Sequence, residues 1–215
     1  MTEVTPAEAA EILAERDPVI ARLLREDGPP KVPFPPESPF AGLVRGITYQ
    51  QLAGAAAAAI HGRLVASLGG EVTPEGILTL SDATLRTVGM SRAKVLSIRD
   101  LSAKAVAGEV ELDPAALEHQ SDQDIVASLS AVRGIGRWSA EMFLIFQLHR
   151  LDVWPTGDLA VRKGFGLGWG IPTPTAKELE PLGEPFHPYR TVAAWYCWVA
   201  ARLYGRSTAL SADPH

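Results

Sequence analysis

The sequence predicts an all-α fold, and three observations predict it. Apolar residues recur at three- and four-residue spacing in one segment after another, the period of a helix that buries one face. Ser, Thr and Asp, which favour helix starts, stand directly before those segments. Alternating apolar and polar runs, which a half-buried strand requires, are nearly absent.

Taken in order, Thr5-Pro6-Ala7-Glu8 has the pattern of a capping box with proline in the first turn, and opens a helix to about Arg16. A second short helix reaches about Arg25. The stretch GPPKVPFPPESPF from Gly28 holds six prolines in thirteen residues; proline lacks the amide a helix needs, so this is an irregular connection where an N-terminal arm meets the body. From Phe40 to about Leu68 the helical spacing resumes and stops at Gly69-Gly70, which marks one long helix or two in series. Helices follow over about 81–88, 91–107, 114–119, 121–131, 137–148, 159–166, 175–182 and 188–204. Ser121 is the N-cap of the helix that enters the turn Gly134-Ile135-Gly136, so the glycines join two helices. The final STALSADPH reads as a frayed tail.

Composition narrows the function. At 215 residues and 47% hydrophobic content the chain buries a real core. Its single cysteine, Cys197, excludes an internal disulfide framework and a cysteine-ligated cluster, and fits a reducing cytosol. The acidic N-terminus lacks a signal-peptide core, and there is no apolar run of about 18 residues, so neither secretion nor a membrane span is expected. The five histidines are scattered without metal-ligand spacing, which disfavours metal-dependent hydrolysis.

A net charge of −5 argues against a nucleic-acid partner until its distribution is read. Residues 1–37 carry eight acids and four bases, and residues 109–124 carry six acids and no Lys or Arg, so the remainder of the chain is positive. Within it Arg86, Arg92, Lys94, Arg99 and Lys104 face only Asp100 over 86–104. That segment is either a solvated helix face or a DNA contact. Glycines at 134 and 136 allow positive φ angles, so the amides that open the next helix can point outward at an anion such as a DNA phosphate. A lone acid, Asp158, follows about twenty residues later, where it also suits the N-cap of the helix beginning LAVRKGF.

VRGIGRWSAEMF followed by VWPTGDLAVRK resembles the helix-hairpin-helix DNA glycosylase superfamily, specifically its alkylbase branch, the 3-methyladenine DNA glycosylase II type. The resemblance extends through RGITYQQL (from Arg45), GMSRAKVLSIRDLS (from Gly89) and FHPYRTVAAWYCW (from Phe186), and so spans roughly residues 40–205. It implies a single glycosylase domain over 1–215 in two helical lobes with the active-site cleft between them. The arm 1–38 and the C-terminal helices 167–205 form one lobe and about 50–166 the other, with the hairpin at 121–148. Only about forty residues precede the matching region, so no added N-terminal β domain is expected. The branch that carries a four-cysteine iron–sulfur cluster is excluded by the single cysteine.

The resemblance also implies residue roles. Asp158 matches the catalytic aspartate: cleavage of an N-glycosidic bond develops positive charge on the deoxyribose, which a preplaced carboxylate stabilises while it orients or deprotonates water. A cap would fix that carboxylate, so the two readings of Asp158 are compatible. Trp138 stands where bifunctional relatives place a lysine that attacks the sugar, so hydrolysis without strand cleavage is expected. An indole there suits stacking on electron-poor or cationic alkylpurines; the alternative is a core tryptophan. Trp198, Met142 and Leu159 are the further pocket candidates, with Met142 standing where one branch has tyrosine; Trp154, Trp169 and Trp195 are read as structural. Gly134, Gly136, Arg137 and Ser139 would meet phosphate, Arg92 and Lys94 would clamp the DNA backbone, and Gln50 and Gln51 would open the plug motif, with Gln51 filling the space of the extruded base. A solvent-facing helix glutamine is the plain alternative for Gln51. Carbonyls of Ser130, Val132 and Ile135 would hold a structural monovalent cation; no other cofactor is implied.

The function expected is a monofunctional DNA glycosylase acting on alkylated bases in duplex DNA by base flipping, leaving an abasic site for base excision repair. The expected partner is double-stranded DNA with damaged bases; the protein is expected to be monomeric and cytoplasmic, at the nucleoid if bacterial. The alternatives are a noncatalytic helix-hairpin-helix protein that binds damaged DNA, and a glycosylase for oxidised or mismatched bases.

Overall fold

The computed structural model describes residues 4–32 and 37–210, with side chains described to residue 205. Every regular element among them is helical. The helices are α1 (Pro6–Arg16), α2 (Pro18–Asp27), α3 (Pro39–Tyr49), α4 (Gly54–Ser67), α5 (Pro74–Thr79), α6 (Asp82–Thr87), α7 (Arg92–Val106), α8 (Pro114–His119), α9 (Asp122–Ser130), α10 (Arg137–Phe146), α11 (Leu159–Trp169), α12 (Ala176–Leu182) and α13 (Arg190–Leu210), with a 3₁₀ turn at Glu184–Phe186.

The caps explain most of these boundaries. Thr5 and Glu8 close the expected capping box, and Ser38, Ser81, Ser91 and Ser121 each accept an amide from the first turn of the helix they precede. The 40–68 segment is two helices, because Gln51 takes a left-handed φ of 57° between α3 and α4. Helix α5 lies in a stretch to which the sequence reading gave no element; Thr73 caps it, with Pro74 in its first turn. Part of the proline connection and residues 211–215 of the expected frayed tail lie outside the described residues. Residues 206–210 of that tail continue α13.

The chain divides into two compact units, one of residues 4–32 with 148–210, the other of 37–147. From sequence, 148–166 are expected in the lobe of the hairpin. In the structure these residues join the N-terminal helices, because α11 packs directly on α13: a Cβ at Gly164 would collide with the carbonyl of Cys197. Ala9, Leu13, Ile20, Phe165, Tyr196 and Cys197 form part of the core of this unit. The expected structural tryptophans belong here. Trp154 donates to the Leu179 carbonyl at 3.0 Å, and Trp169 stacks on Phe165 at 4.3 Å.

In the other unit α7 is the central helix, burying Val95, Ile98 and Leu101. Most of the basic segment is spent on holding this unit together. Arg86 donates to the Met90 carbonyl at 2.7 Å and Lys94 to the Thr48 carbonyl at 2.7 Å. Arg99 serves the carbonyls of Ile77, Leu78 and Leu80 together with Asp82, and Lys104 pairs with Glu109. Of the five bases, Arg92 alone stands exposed at the start of α7 with no such bond, so the run is chiefly a set of carbonyl caps.

Candidate active site

The segment that delivers Asp158 is fixed before the helix begins. Asp152 takes both Nε and Nη2 of Arg190, at 2.8 and 2.7 Å, and the ring of His187 at 2.7 Å. Thr191 accepts from the Val153 amide at 2.9 Å and donates to the Arg150 carbonyl at 2.7 Å. Residues 150–153 are thereby strapped to the start of α13, and Asp158 follows after the turn at Pro155.

Asp158 is the N-cap of α11, 9% exposed, its Oδ1 accepting from the Val161 amide at 2.9 Å. The same oxygen accepts from the indole N–H of Trp198 at 3.3 Å. Trp198 therefore meets the carboxylate through its polar edge, and packs against Trp195 edge to face at 6.5 Å. Leu159, next in the chain, is half exposed at the start of α11. Burial, and then the negative charges of Asp158 and Asp17, push the Cys197 thiol well above its ordinary range, so this buried neighbour remains a thiol.

The hairpin lies in the other unit. Gly134 has a φ of 78°, and a Cβ there would collide with Ser97 Oγ. Gly136 differs from the expectation that both glycines use positive φ. It is the N-cap of α10 at φ −98°, and a Cβ there would meet nothing within 4 Å. No side chain caps α10. Asp100 holds the Arg133 amide at 2.7 Å, and Gln50 donates to the Gly134 carbonyl at 3.1 Å, so Gln50 braces the turn. Arg137 is 77% exposed with its Nε held by Glu141 at 2.8 Å.

A cavity of about 670 Å³ opens between α3 and α10, lined among others by Trp138, Ser139 and Met142 from the hairpin helix and by Arg45, Tyr49 and Gln51 from the plug motif. Trp138 is 48% exposed, not a core residue. The structure thus brings Trp138, Met142, Ser139, Gln50 and Gln51 to one cavity, while Lys94 is occupied with Thr48. Arg45, Tyr49 and Gln147 belong to the same lining and carried no role in the sequence reading. For Arg45 and Tyr49 a signal was present: Gly42, Arg45, Gly46 and Tyr49 recur at three- and four-residue steps along one face of α3.

An all-helical chain with a glycine hairpin, an exposed indole in its second helix and a buried aspartate opening a later helix has the parts of a base-excision protein. The sequence matches the family described as HhH-GPD superfamily base excision DNA repair protein over residues 44–188, and the chain belongs to that family. The DNA-3-methyladenine glycosylase 1 of Schizosaccharomyces pombe is 34% identical over 170 residues, 78% of this chain and 74% of its own. The alkylbase DNA glycosidase-like protein mag2 of the same yeast is 32% identical over 187 residues, 85% of this chain and 87% of its own. Among solved structures, the S. pombe 3-methyladenine DNA glycosylase in complex with abasic DNA superposes with a TM-score of 0.78 at 32% identity, covering 91% of this chain and 97% of that one. The DNA-3-methyladenine glycosidase from Bacillus halodurans gives a TM-score of 0.83 at 34% identity, covering 92% and 91%. The all-α expectation holds, without a β domain among the described residues.

Proposed function

We propose that the protein is a monofunctional DNA glycosylase that releases alkylated bases from duplex DNA and leaves an abasic site. The observation that carries this reading is Asp158: a buried carboxylate locked by the Val161 amide and the Trp198 indole, on a segment strapped to α13. Such a preorganised anion stabilises positive charge where it develops, without reorganising during the reaction. The relatives named as 3-methyladenine glycosylases support the alkylbase substrate class.

In this mechanism the open amides at Gly136 and the first turn of α10 grip a phosphate, with Arg137 and Ser139 beside them. Arg92 adds a backbone contact. Gln51, exposed and held at positive φ, fills the vacated stack; a non-glycine residue in that conformation is strained, and such strain gathers at functional positions. Trp138 receives the extruded ring on its exposed face, with Met142 of the same cavity as a further apolar contact. The C1′–N bond then breaks with its electron pair going to the base. A ring already carrying positive charge leaves neutral, so alkylation lowers the barrier and modest help suffices. Asp158 stabilises the sugar cation and orients the water whose oxygen bonds to C1′, taking the proton that this water gives up. Trp138 has no amine, so no Schiff base forms there.

The backbone carbonyls of Ser130, Val132 and Ile135 suit an alkali cation, being hard oxygen donors. Ser130 ends α9, where carbonyls lack helical partners, and the Val132 carbonyl accepts the Ile135 amide at 3.1 Å with a second lone pair remaining. A cation held there would favour phosphate beside the turn. The protein acts as a monomer on damaged double-stranded DNA. Among the described residues no helix is long and apolar enough to cross a membrane.

The test is incubation with duplex DNA containing 7-methylguanine or 3-methyladenine. Free base should appear, the strand should stay intact until alkali cleaves it, and borohydride should trap no adduct. Strand scission or a trapped adduct would contradict the monofunctional mechanism; DNA binding without base release would favour the noncatalytic reading.

A further inference from the structure

The turn that carries Gln51 is held from two sides. Helix α3 ends at Tyr49, and the Leu52 amide donates to the Tyr49 carbonyl at 3.3 Å, closing a four-residue turn. Gln50 has φ −52° and ψ 129°, and Gln51 has φ 57°, as in a type II turn. The third position of such a turn normally holds glycine or asparagine, because a Cβ is strained at positive φ. Glutamine stands there instead, so the bonds around the turn have to keep it in this form.

Lys94, in the first turn of α7, donates to the Thr48 carbonyl at 2.7 Å, directly before the turn begins. That carbonyl lies in the last turn of α3, where no helical amide reaches it. Thr48 is fully buried and its hydroxyl donates to the Val44 carbonyl at 2.8 Å, so the stem of the turn is fixed. Burial lowers the Lys94 pKa: the ammonium gives up part of its water to make this bond. On the other side Gln50 donates to the Gly134 carbonyl at 3.1 Å. Gly134 rests on Ser97, one turn along α7 from Lys94, so closely that a Cβ at 134 would collide with Ser97 Oγ. One face of α7 therefore supports both the stem of the turn and the hairpin that Gln50 reaches. Arg92, two residues before Lys94 and equal to it in charge, stays exposed.

We propose that Lys94 is a positioning residue for base extrusion: through the Thr48 carbonyl it fixes the turn so that Gln51 stands ready to enter the space an extruded base leaves, and it does not touch phosphate. The inference rests on the excision reading and on Gln51 as its plug. A side chain already in place gives up less freedom on insertion, so the extruded state is reached more often. With the turn released, the fraction of bound DNA that has its base extruded falls, and the rate of release falls with it. Affinity for the duplex backbone stays as it was.

The experiment measures single-turnover release of 7-methylguanine, paired with cytosine, by the native protein, Lys94→Met, Gln51→Ala and the double variant, together with the salt dependence of duplex binding. Each single variant should slow release by roughly 10-fold, less than the roughly 100-fold that misplacing a reacting group costs. The double variant should be no slower than Gln51→Ala, because Lys94 acts through Gln51. The salt slope of Lys94→Met should match the native one, whereas Arg92→Met lowers it by about 1. A slope lowered by about 1 in Lys94→Met would make Lys94 a phosphate clamp, and losses that multiply in the double variant would make its role independent of the plug. Either result overturns the proposal while excision stands, as would release at the native rate by Lys94→Met or by Gln51→Ala. Should Lys94→Met not fold, Lys94→Gln keeps a neutral donor for the carbonyl; it should keep the native slope, and a lowered slope would overturn the proposal equally. If the native protein releases no base, the excision reading fails and takes this one with it.

Discussion

Asp158 has two duties, and substitution can separate them. As N-cap it satisfies the Val161 amide, and it also accepts from the Trp198 indole. Asp158→Ala removes the oxygen that accepts both bonds and should cost about 2 kcal/mol, a lost cap together with a buried donor left unpaired. Asp158→Asn keeps an oxygen at the cap and should lie within about 0.5 kcal/mol of the native protein, since Asn ranks beside Asp as an N-cap. Urea unfolding midpoints measure the difference. Asp152 makes a different prediction, about pH. Burial alone would raise its pKa, but the hydrogen bonds and charge of Arg190 and the charge of His187 outweigh burial and hold it below the usual carboxylate range. A carboxylate depressed in the folded state contributes stability above its unfolded pKa of about 4, and that contribution is lost as pH falls through the lower, folded value. Asp152→Asn should therefore be less stable than the native protein at pH 7, and the gap should narrow as unfolding is measured at progressively lower pH. A gap independent of pH would contradict the assignment.

At the scale of elements, the contact between α11 and α13 depends on one missing side chain. Gly164 lets the two backbones approach until a Cβ would overlap the Cys197 carbonyl. Backbone cannot rotate aside as a side chain does, so Gly164→Ala should destabilise by about 3 kcal/mol or more, at the upper end of overpacking effects. Thermal unfolding of the variant checks this, and a native-like midpoint would mean that the helices separate freely. Local signals made most helices legible from sequence: Thr5, Ser81, Ser91 and Ser121 announced their starts through hydroxyl caps that the structure reproduces. Helix α5 was missed although it is as long as α6 and α8 and carries the same kind of start signal, Thr73 as cap and Pro74 in the first turn. Over 40–68 the sequence left one helix or two open, and the break at Gln51 decides for two, in a left-handed conformation that its residue type does not advertise.

For the whole chain, sequence gave the sign of the charge in each segment but not its use. Arg86, Lys94, Arg99 and Lys104 looked like a DNA-facing stripe, and the structure spends them on carbonyls and carboxylates. That requires knowing which loops end beside them, and one-dimensional spacing does not contain it. Of that stripe only Arg92 is left without such a bond, and at the hairpin Arg137 is tied to Glu141, in a chain of net charge −5. The logarithm of the DNA-binding constant should therefore fall with the logarithm of salt at a slope of about −3 or shallower; a slope near −8, set by many phosphate contacts, would contradict this count of usable cations. The candidate site was more legible, because Asp158, Trp138 and the hairpin glycines lie within one short stretch of sequence. Arg45 and Tyr49 joined the cavity beside Trp138 only through the packing of α3 beside α10. The central claim, that Asp158 supplies the carboxylate for excision, is tested most directly by single-turnover release of 3-methyladenine from a defined duplex by the native protein and Asp158→Asn, with both folded and bound to saturation. Release should fall by roughly 100-fold or more in the variant, a loss of about 2.7 kcal/mol or more of transition-state stabilisation. Equal rates would contradict the account.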